Sequence, residues 1–412
     1  LLRGIVRERD PLGALESFAK SRATAFRPRS ERVRDDLGRP CLALAIHPAA
    51  EPLRIAELGG GTIEAEAGTG TAGPGYHAHL SELLTEAGRA LGIEWTEIRD
   101  ESGYFESGRR AALEDATLIA LAGTAMEALA MLRRGWGGIQ LSLPQGVTYE
   151  HDGAVATPLG PRDHDWLKEV AREPRRGIDV FPWWEPGEGA ATLRGAALAA
   201  MWIDVRWRPP VTAEERALLE QIVDWLEQGF ALAPEEAWPW REWAEVLEHL
   251  GEDSLRATRV KLRAAGLPPD LPIGYRRRPV RVWLSGGWSI QVPGEFAERW
   301  EEPGVWVGWD ATRSVWFSSV EVEGSKSTQA TLDALPPLEG EGELLAMDGG
   351  GLRALARAGT FEEEGRTLGR VLAHAATGPH AAIGTLVYEN PDDRAWALAT
   401  WSSLAFHGPA PD

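Results

Sequence analysis

The chain has little cysteine, little lysine and little positive charge. Cys41 is the only cysteine in 412 residues, so an intrachain disulfide, a zinc ribbon and a Cys-x-x-Cys redox pair are excluded. That usage fits a reducing compartment, and a bacterial cytoplasmic protein is expected. Lysine occurs only at positions 20, 168, 261 and 326, and the formal net charge is −19. Such an acidic balance argues against a nucleic-acid binder or a protein of anionic membrane surfaces, since both need Lys and Arg along the contact face. No continuous apolar run opens the chain, because Arg3, Arg7, Glu8, Arg9 and Asp10 interrupt it, so no secretory signal is expected. The most apolar stretch, Ala116 to Leu132, contains Glu127 and reads as a buried helix rather than a membrane span. A Walker lysine motif, a G-x-G-x-x-G fingerprint and a G-x-S-x-G elbow are also missing. No cofactor or metal is therefore expected.

What is present reads as an α+β protein of two or three domains. Residues 1–38 are charged and weakly patterned, and read as an arm or an opening helix rather than a core element. Short strands are expected at Cys41–Ile46, Leu53–Leu58, Thr62–Glu66, Ile93–Ile98 and Ile139–Leu143, with a helix over Arg109–Arg134 and an Asp152-Gly153 hairpin turn. These make residues 39–160 a mixed α/β domain. Helices dominate 161–266: Thr212 and Glu215 form a capping box, and Pro239 and Ser254 open two further helices. The proline-rich run from Leu267 to Pro272 marks a linker over 267–279. Residues 280–412 then read as an antiparallel sheet closed by a helix at Asp392–Leu404, because the connections are too short for parallel crossovers.

The segment from Gly59 to Leu80, GGGTIEAEAGTGTAGPGYHAHL, is the first candidate site. Gly70, Gly73 and Gly75 either let an anionic group approach the N-terminus of the helix that follows or simply form a glycine-rich turn flanked by surface histidines, the reading favoured by the missing phosphate motifs. In that helix Tyr76 falls on the leucine side and reads as core. His77 and His79 point about 160° apart, so they cannot share one metal. Glu64 and Glu66 share one strand face, either as paired carboxylates in a cleft or as the solvated side of a sheet. Asp163, His164 and Asp165 read as a helix cap as readily as a ligand cluster.

Tryptophan is the main compositional excess, with 19 residues. Most are expected in cores, but Trp183 and Trp184 are neighbours that cannot both face one core. One of Trp183, Trp184, Trp238 and Trp240 is therefore expected at a protein interface. Between Arg256 and Arg281 eight basic residues face Asp270 alone, and Arg276, Arg277 and Arg278 form a patch expected to dock on acidic groups.

In the last part of the chain, Ser289-Ile-Gln-Val-Pro293, Trp300 and the strand Gly304-Val-Trp-Val-Gly-Trp309 precede paired long strands and a terminal helix. This order over residues 280–407 resembles the PsbP-like fold, which includes the Eag chaperones of type VI secretion. The resemblance implies a binding role without catalysis. The expected function is thus a non-enzymatic adaptor or chaperone that binds another protein. The alternative is an enzyme or binding domain for an anionic small molecule, centred on His77, His79, Glu64 and Glu66.

Overall fold

The computed structural model describes residues 1–22, 25–35, 37–135, 139–143, 146–149, 154–267, 272–302, 304–349 and 351–408. The Asp152-Gly153 turn and most of the proline-rich run lie outside the described residues. The fold is α+β, with antiparallel sheets. The chain forms two compact units: Leu1–Pro144, Glu150–Val205 and Arg216–Tyr275 make the first, and Gln145–Tyr149, Arg206–Glu215 and Arg276–Asp412 the second. The second unit thus begins close to the expected boundary, but it also takes in two short earlier segments.

The first unit opens with β1 (Leu2–Ile5), α1 (Pro11–Ser21), β2 (Arg29–Arg34), β3 (Pro40–Ala45), β4 (Leu53–Gly59), β5 (Thr62–Glu66), α2 (Pro74–Leu91), β6 (Glu94–Ile98), α3 (Tyr104–Ser107) and α4 (Arg110–Arg133). The six strands form one antiparallel sheet in the order β2-β3-β4-β5-β1-β6. Residues 1–38 are therefore not an arm: β1 sits inside the sheet between β5 and β6. Its pattern is hard to read because Gly4 lies where a Cβ would approach the Trp95 ring to 2.8 Å, and only Leu2 marks its inner face. Leu2, Leu42, Leu53, Ile55, Ile63 and Ala65 are buried, which gives the sheet one apolar face. On the other face Arg3 pairs with Glu64 at 2.5 Å and with Glu97 at 3.2 Å.

β7 (Val147–Thr148) belongs to the second unit. The first continues with β8 (Ala154–Val155), β9 (Arg162–Asp163), α5 (His164–Arg172), α6 (Ala190–Ile203), α7 (Ala213–Leu232, from Arg216 onward), α8 (Trp240–His249) and α9 (Leu255–Ala264). Asp163 Oδ1 accepts the Trp166 N–H at 2.7 Å, and Ser254 Oγ accepts the Ala257 N–H at 3.2 Å, so both act as helix caps. The expected strand at Ile139–Leu143 reduces to a bridge between Gln140 and Ala156. Its Ile139 and Leu141 owe their apolarity to a core cluster shared with Leu121 and Ala125 of α4 and Leu167 and Val170 of α5. By length and composition α4 is the one helix among the described residues long and apolar enough to cross a membrane. It is not fully buried, because Ile119 and Met126 are exposed.

In the second unit β10 (Val280–Leu284), β11 (Trp288–Val292), β12 (Ala297–Glu302), β13 (Val305–Trp309), β14 (Arg313–Glu321), α10 (Thr328–Ala334), β15 (Glu343–Gly349), β16 (Leu352–Glu363), β17 (Arg366–Thr377), β18 (His380–Tyr388), α11 (Arg394–Ser402) and β19 (Ala405–Phe406) follow. A seven-stranded sheet runs β12-β13-β14-β18-β17-β16-β15, and a smaller one runs β19-β11-β10-β7. The long strands match those expected. β12 escaped notice because it is a charged edge strand, AERWEE, in which only Ala297 is buried. α11 packs on the large sheet where Gly384 leaves room for Trp401, since a Cβ there would meet the ring at 2.6 Å.

Candidate functional site

A cavity of about 710 Å³ opens in the first unit. Its walls follow from helical periodicity: α2 contributes His77, Leu80, Ser81 and Leu84, and α4 contributes Leu113, Ala116, Thr117, Ala120, Leu121 and Thr124. Leu53, Phe105 and Phe181 add apolar surface, and the loop Gly68-Thr69-Gly70-Thr71 together with Arg99, Asp100 and Ser102 forms a polar end. The volume lies within the range typical of small-molecule sites.

His77 is the centre of that polar end. Its Nδ1 lies 2.9 Å from Thr69 Oγ1 and its Nε2 lies 3.4 Å from Asp100 Oδ2. Burial alone would raise the Asp100 carboxyl, but the Ser102 hydroxyl and the Phe105 N–H, donating to it at 2.7 and 2.8 Å, outweigh burial and hold it below its ordinary value. An ionised Asp100 only accepts, so the proton between it and His77 sits on Nε2; in the neutral imidazole Nδ1 then faces the Thr69 hydroxyl as an acceptor. Thr71 Oγ1, also in the lining, is buried without a hydrogen-bond partner among the described residues. Asp100 and Thr69 carry no motif in the sequence, and only their closeness to His77 in space reveals them.

The other expected site residues lie elsewhere. His79, two residues from His77, faces the opposite way and packs 4.9 Å from the Trp183 ring. Burial lowers its pKa to about 4, and that of the fully buried His47 beside it to about 3. Glu64 is tied to Arg3 on the outer sheet face and Glu66 is exposed on the same strand, so neither borders the cavity. The four candidates therefore do not converge, because helical geometry separates the histidines and strand alternation turns the glutamates away. Among the described residues no group of three or more His, Cys, Asp and Glu side chains is placed to hold a metal ion.

The glycines have a different role from the one expected. The Gly75 N–H donates to the Trp183 carbonyl at 3.0 Å, the Trp183 N–H donates to the Ala72 carbonyl at 2.9 Å, and the Tyr76 and His77 N–H groups reach Gly73 O. Pro74 has no N–H to offer. The helix N-terminus is thus occupied by the chain itself and holds no anion at Gly73 and Gly75. A Cβ on Gly75 would stand 2.3 Å from Glu185 O, and one on Gly195 of α6 would stand 2.1 Å from Pro182 O. Glycine at these positions lets the strap from Phe181 to Glu185 lie against two helices backbone to backbone. Gly70 has open space around it.

Trp183 is fully buried, stacked on Phe26 at 4.6 Å, and Trp238 is buried beside Gly229. Trp184 packs against Phe181, and Trp240 stacks on Trp243 at 5.1 Å with the Arg263 guanidinium over its ring. Trp183 and Trp238 are thus core rings, whereas Trp184 and Trp240 are half-buried. In the second unit Arg276 is buried and pairs with Glu298 at 2.7 Å, Arg277 lies over the Trp207 ring at 3.6 Å, and Arg278 is exposed.

No family model matches the sequence, and no curated protein matches it. A solved structure from Bacteroides thetaiotaomicron VPI-5482, determined at 1.50 Å, aligns at 15% identity with a TM-score of 0.26. The alignment covers 32% of this chain and 49% of that one, so the chain spans about half the length of that structure, and a likeness so slight carries no argument about fold or function.

Proposed function

We propose that the first unit binds an uncharged amphipathic small molecule, its apolar part between α2 and α4 and its hydrogen-bonding head at Thr69, His77 and Asp100. The observation that carries this reading is the cavity with one apolar and one polar end. The lining includes Glu51, Asp100 and Glu101 against Arg99 alone among fixed side-chain cations, which disfavours the anionic ligand of the alternative reading of the sequence. Buried Cys41 suits work in a reducing cytoplasm. Octanamide is a suitable probe, and calorimetry is expected to give saturable binding that Ala116→Trp abolishes while thermal unfolding stays within a few degrees. Absence of heat at millimolar probe, or unchanged binding in the variant, counts against the reading.

A second reading, a protein-binding module in the second unit, rests on different residues from those first expected. Trp283, Trp300 and Trp316 are 41%, 49% and 44% exposed, and large aromatic rings open to solvent are what partner surfaces use. The resemblance of residues 280–407 to PsbP-like modules supports the same role. Trp300→Ala with Trp316→Ala is expected to remove a partner retained from lysate by the native chain, and Ala116→Trp to leave it bound. Retention unaffected by the double substitution would reject the module.

A further inference from the structure

We propose that the cavity is an acyl-transfer site in which Thr69 is the nucleophile, His77 its base and Asp100 the carboxylate that positions the imidazole, acting on esters of medium-length acyl chains. This rests on the small-molecule reading of the same cavity.

Three features converge on Thr69. Its hydroxyl lies within hydrogen-bond distance of a ring nitrogen whose opposite nitrogen faces a carboxylate, the hydroxyl–imidazole–carboxylate order that nucleophilic catalysis requires. The carboxylate is fixed in turn by the Ser102 hydroxyl and the Phe105 N–H, and His77 Nε2 lies 3.4 Å from it and 3.5 Å from Ser102 Oγ. Gly70 and Thr71, directly after the nucleophile, line the cavity, and their backbone N–H groups make no hydrogen bond among the described residues. Unpaired N–H groups at that position are the donors an oxyanion would need. The α4 wall from Leu113 to Thr124 spans about 16 Å at ~1.5 Å per residue, enough for an extended medium-length acyl chain.

The chemistry closes without a further reagent. Thr69 Oγ1 bonds to the ester carbonyl carbon as its proton passes to His77 Nδ1, and the carbonyl oxygen takes the negative charge. The C–O bond to the leaving alcohol then breaks, and His77 returns the proton to that oxygen, leaving an acyl-threonine. Water repeats the sequence at the acyl carbon, its proton going to His77 and then to Thr69 Oγ1, and a carboxylic acid leaves.

The test uses the full chain with p-nitrophenyl octanoate and an octyl fluorophosphonate. The native protein is expected to release p-nitrophenol and to carry the phosphonyl group on the peptide containing Thr69. Thr69→Ser should retain turnover, Thr69→Ala should abolish it, and His77→Gln should lower kcat at least about a hundredfold. Octanamide binding, measured on the same samples, reports folding and the ligand reading separately. Octanamide binding without turnover or labelling in the native chain overturns the acyl-transfer proposal and leaves the ligand reading intact. Turnover surviving in Thr69→Ala, or a label on another residue, also overturns it.

Discussion

At the scale of single residues, one side chain connects the two segments that stand out in the sequence. Trp183 fills the space above α2 that Gly75 leaves open, and its main chain exchanges hydrogen bonds with Ala72 and Gly75. A methyl group on Gly75 would meet Glu185 O and Trp183 Cδ1, each at 2.3 Å, and a backbone carbonyl on one side with a fully buried ring on the other leaves little room to adjust. Gly75→Ala is therefore expected to cost about 1–3 kcal/mol, the usual range for overpacking a tight core, or somewhat more. Gly70→Ala meets nothing within 4 Å and is expected to stay within ~0.5 kcal/mol of the native chain. Denaturant unfolding of the two variants side by side distinguishes them. Equal stabilities would mean that the strap does not depend on glycine at position 75.

At the scale of elements, periodicity made much of the fold legible. The leucine stripe of α2 placed Tyr76 in the core, where it is fully buried, and the alternation in β5 turned Glu64 and Glu66 outward. The longer strands of the second unit, β10, β11, β13, β14 and β16 to β18, were visible because they carry enough apolar residues to declare a face. β1 and β12 were not, since one is four residues long with a glycine and the other is charged along an edge. The candidate site was half legible for a related reason. His77 stood out beside the glycines, but its partners come from the loop after β5 and the turn after β6, which only the sheet order brings to one end of a cavity. Sequence spacing likewise could not tell that the strap containing Trp183 and Trp184 was the tenant of the helix N-terminus.

At the scale of the whole molecule, buried histidines govern how the chain responds to acid. Burial depresses the pKa of His47 from 6.5 to about 3, with the neighbouring His79 adding to the effect. Burial likewise depresses His79 to about 4, reinforced by the charge of Arg22. Glu188 lies 4.0 Å from His79, at the limit of an ion pair, and burial raises its own pKa, so it does little to hold the ring charged. In the second unit burial also lowers His374 and His407, with Arg281 assisting at His407. The sign follows from proton counting: below pH 6.5 the unfolded chain protonates these rings while the folded chain does not, so the folded state loses ground as pH falls. His47 and His79 each contribute a slope of ~1.4 kcal/mol per pH unit, and for the two together the window runs from 6.5 down to about 4. Carboxylates held low by hydrogen bonds, such as Asp100, act only further down, as pH falls through their folded values below 3.8. Acid destabilisation is thus expected to begin near neutrality and to be steeper for the native chain than for His47→Gln with His79→Gln. Denaturant unfolding at pH 7 and pH 5 measures the difference; identical pH slopes in the two proteins would remove these histidines as its cause.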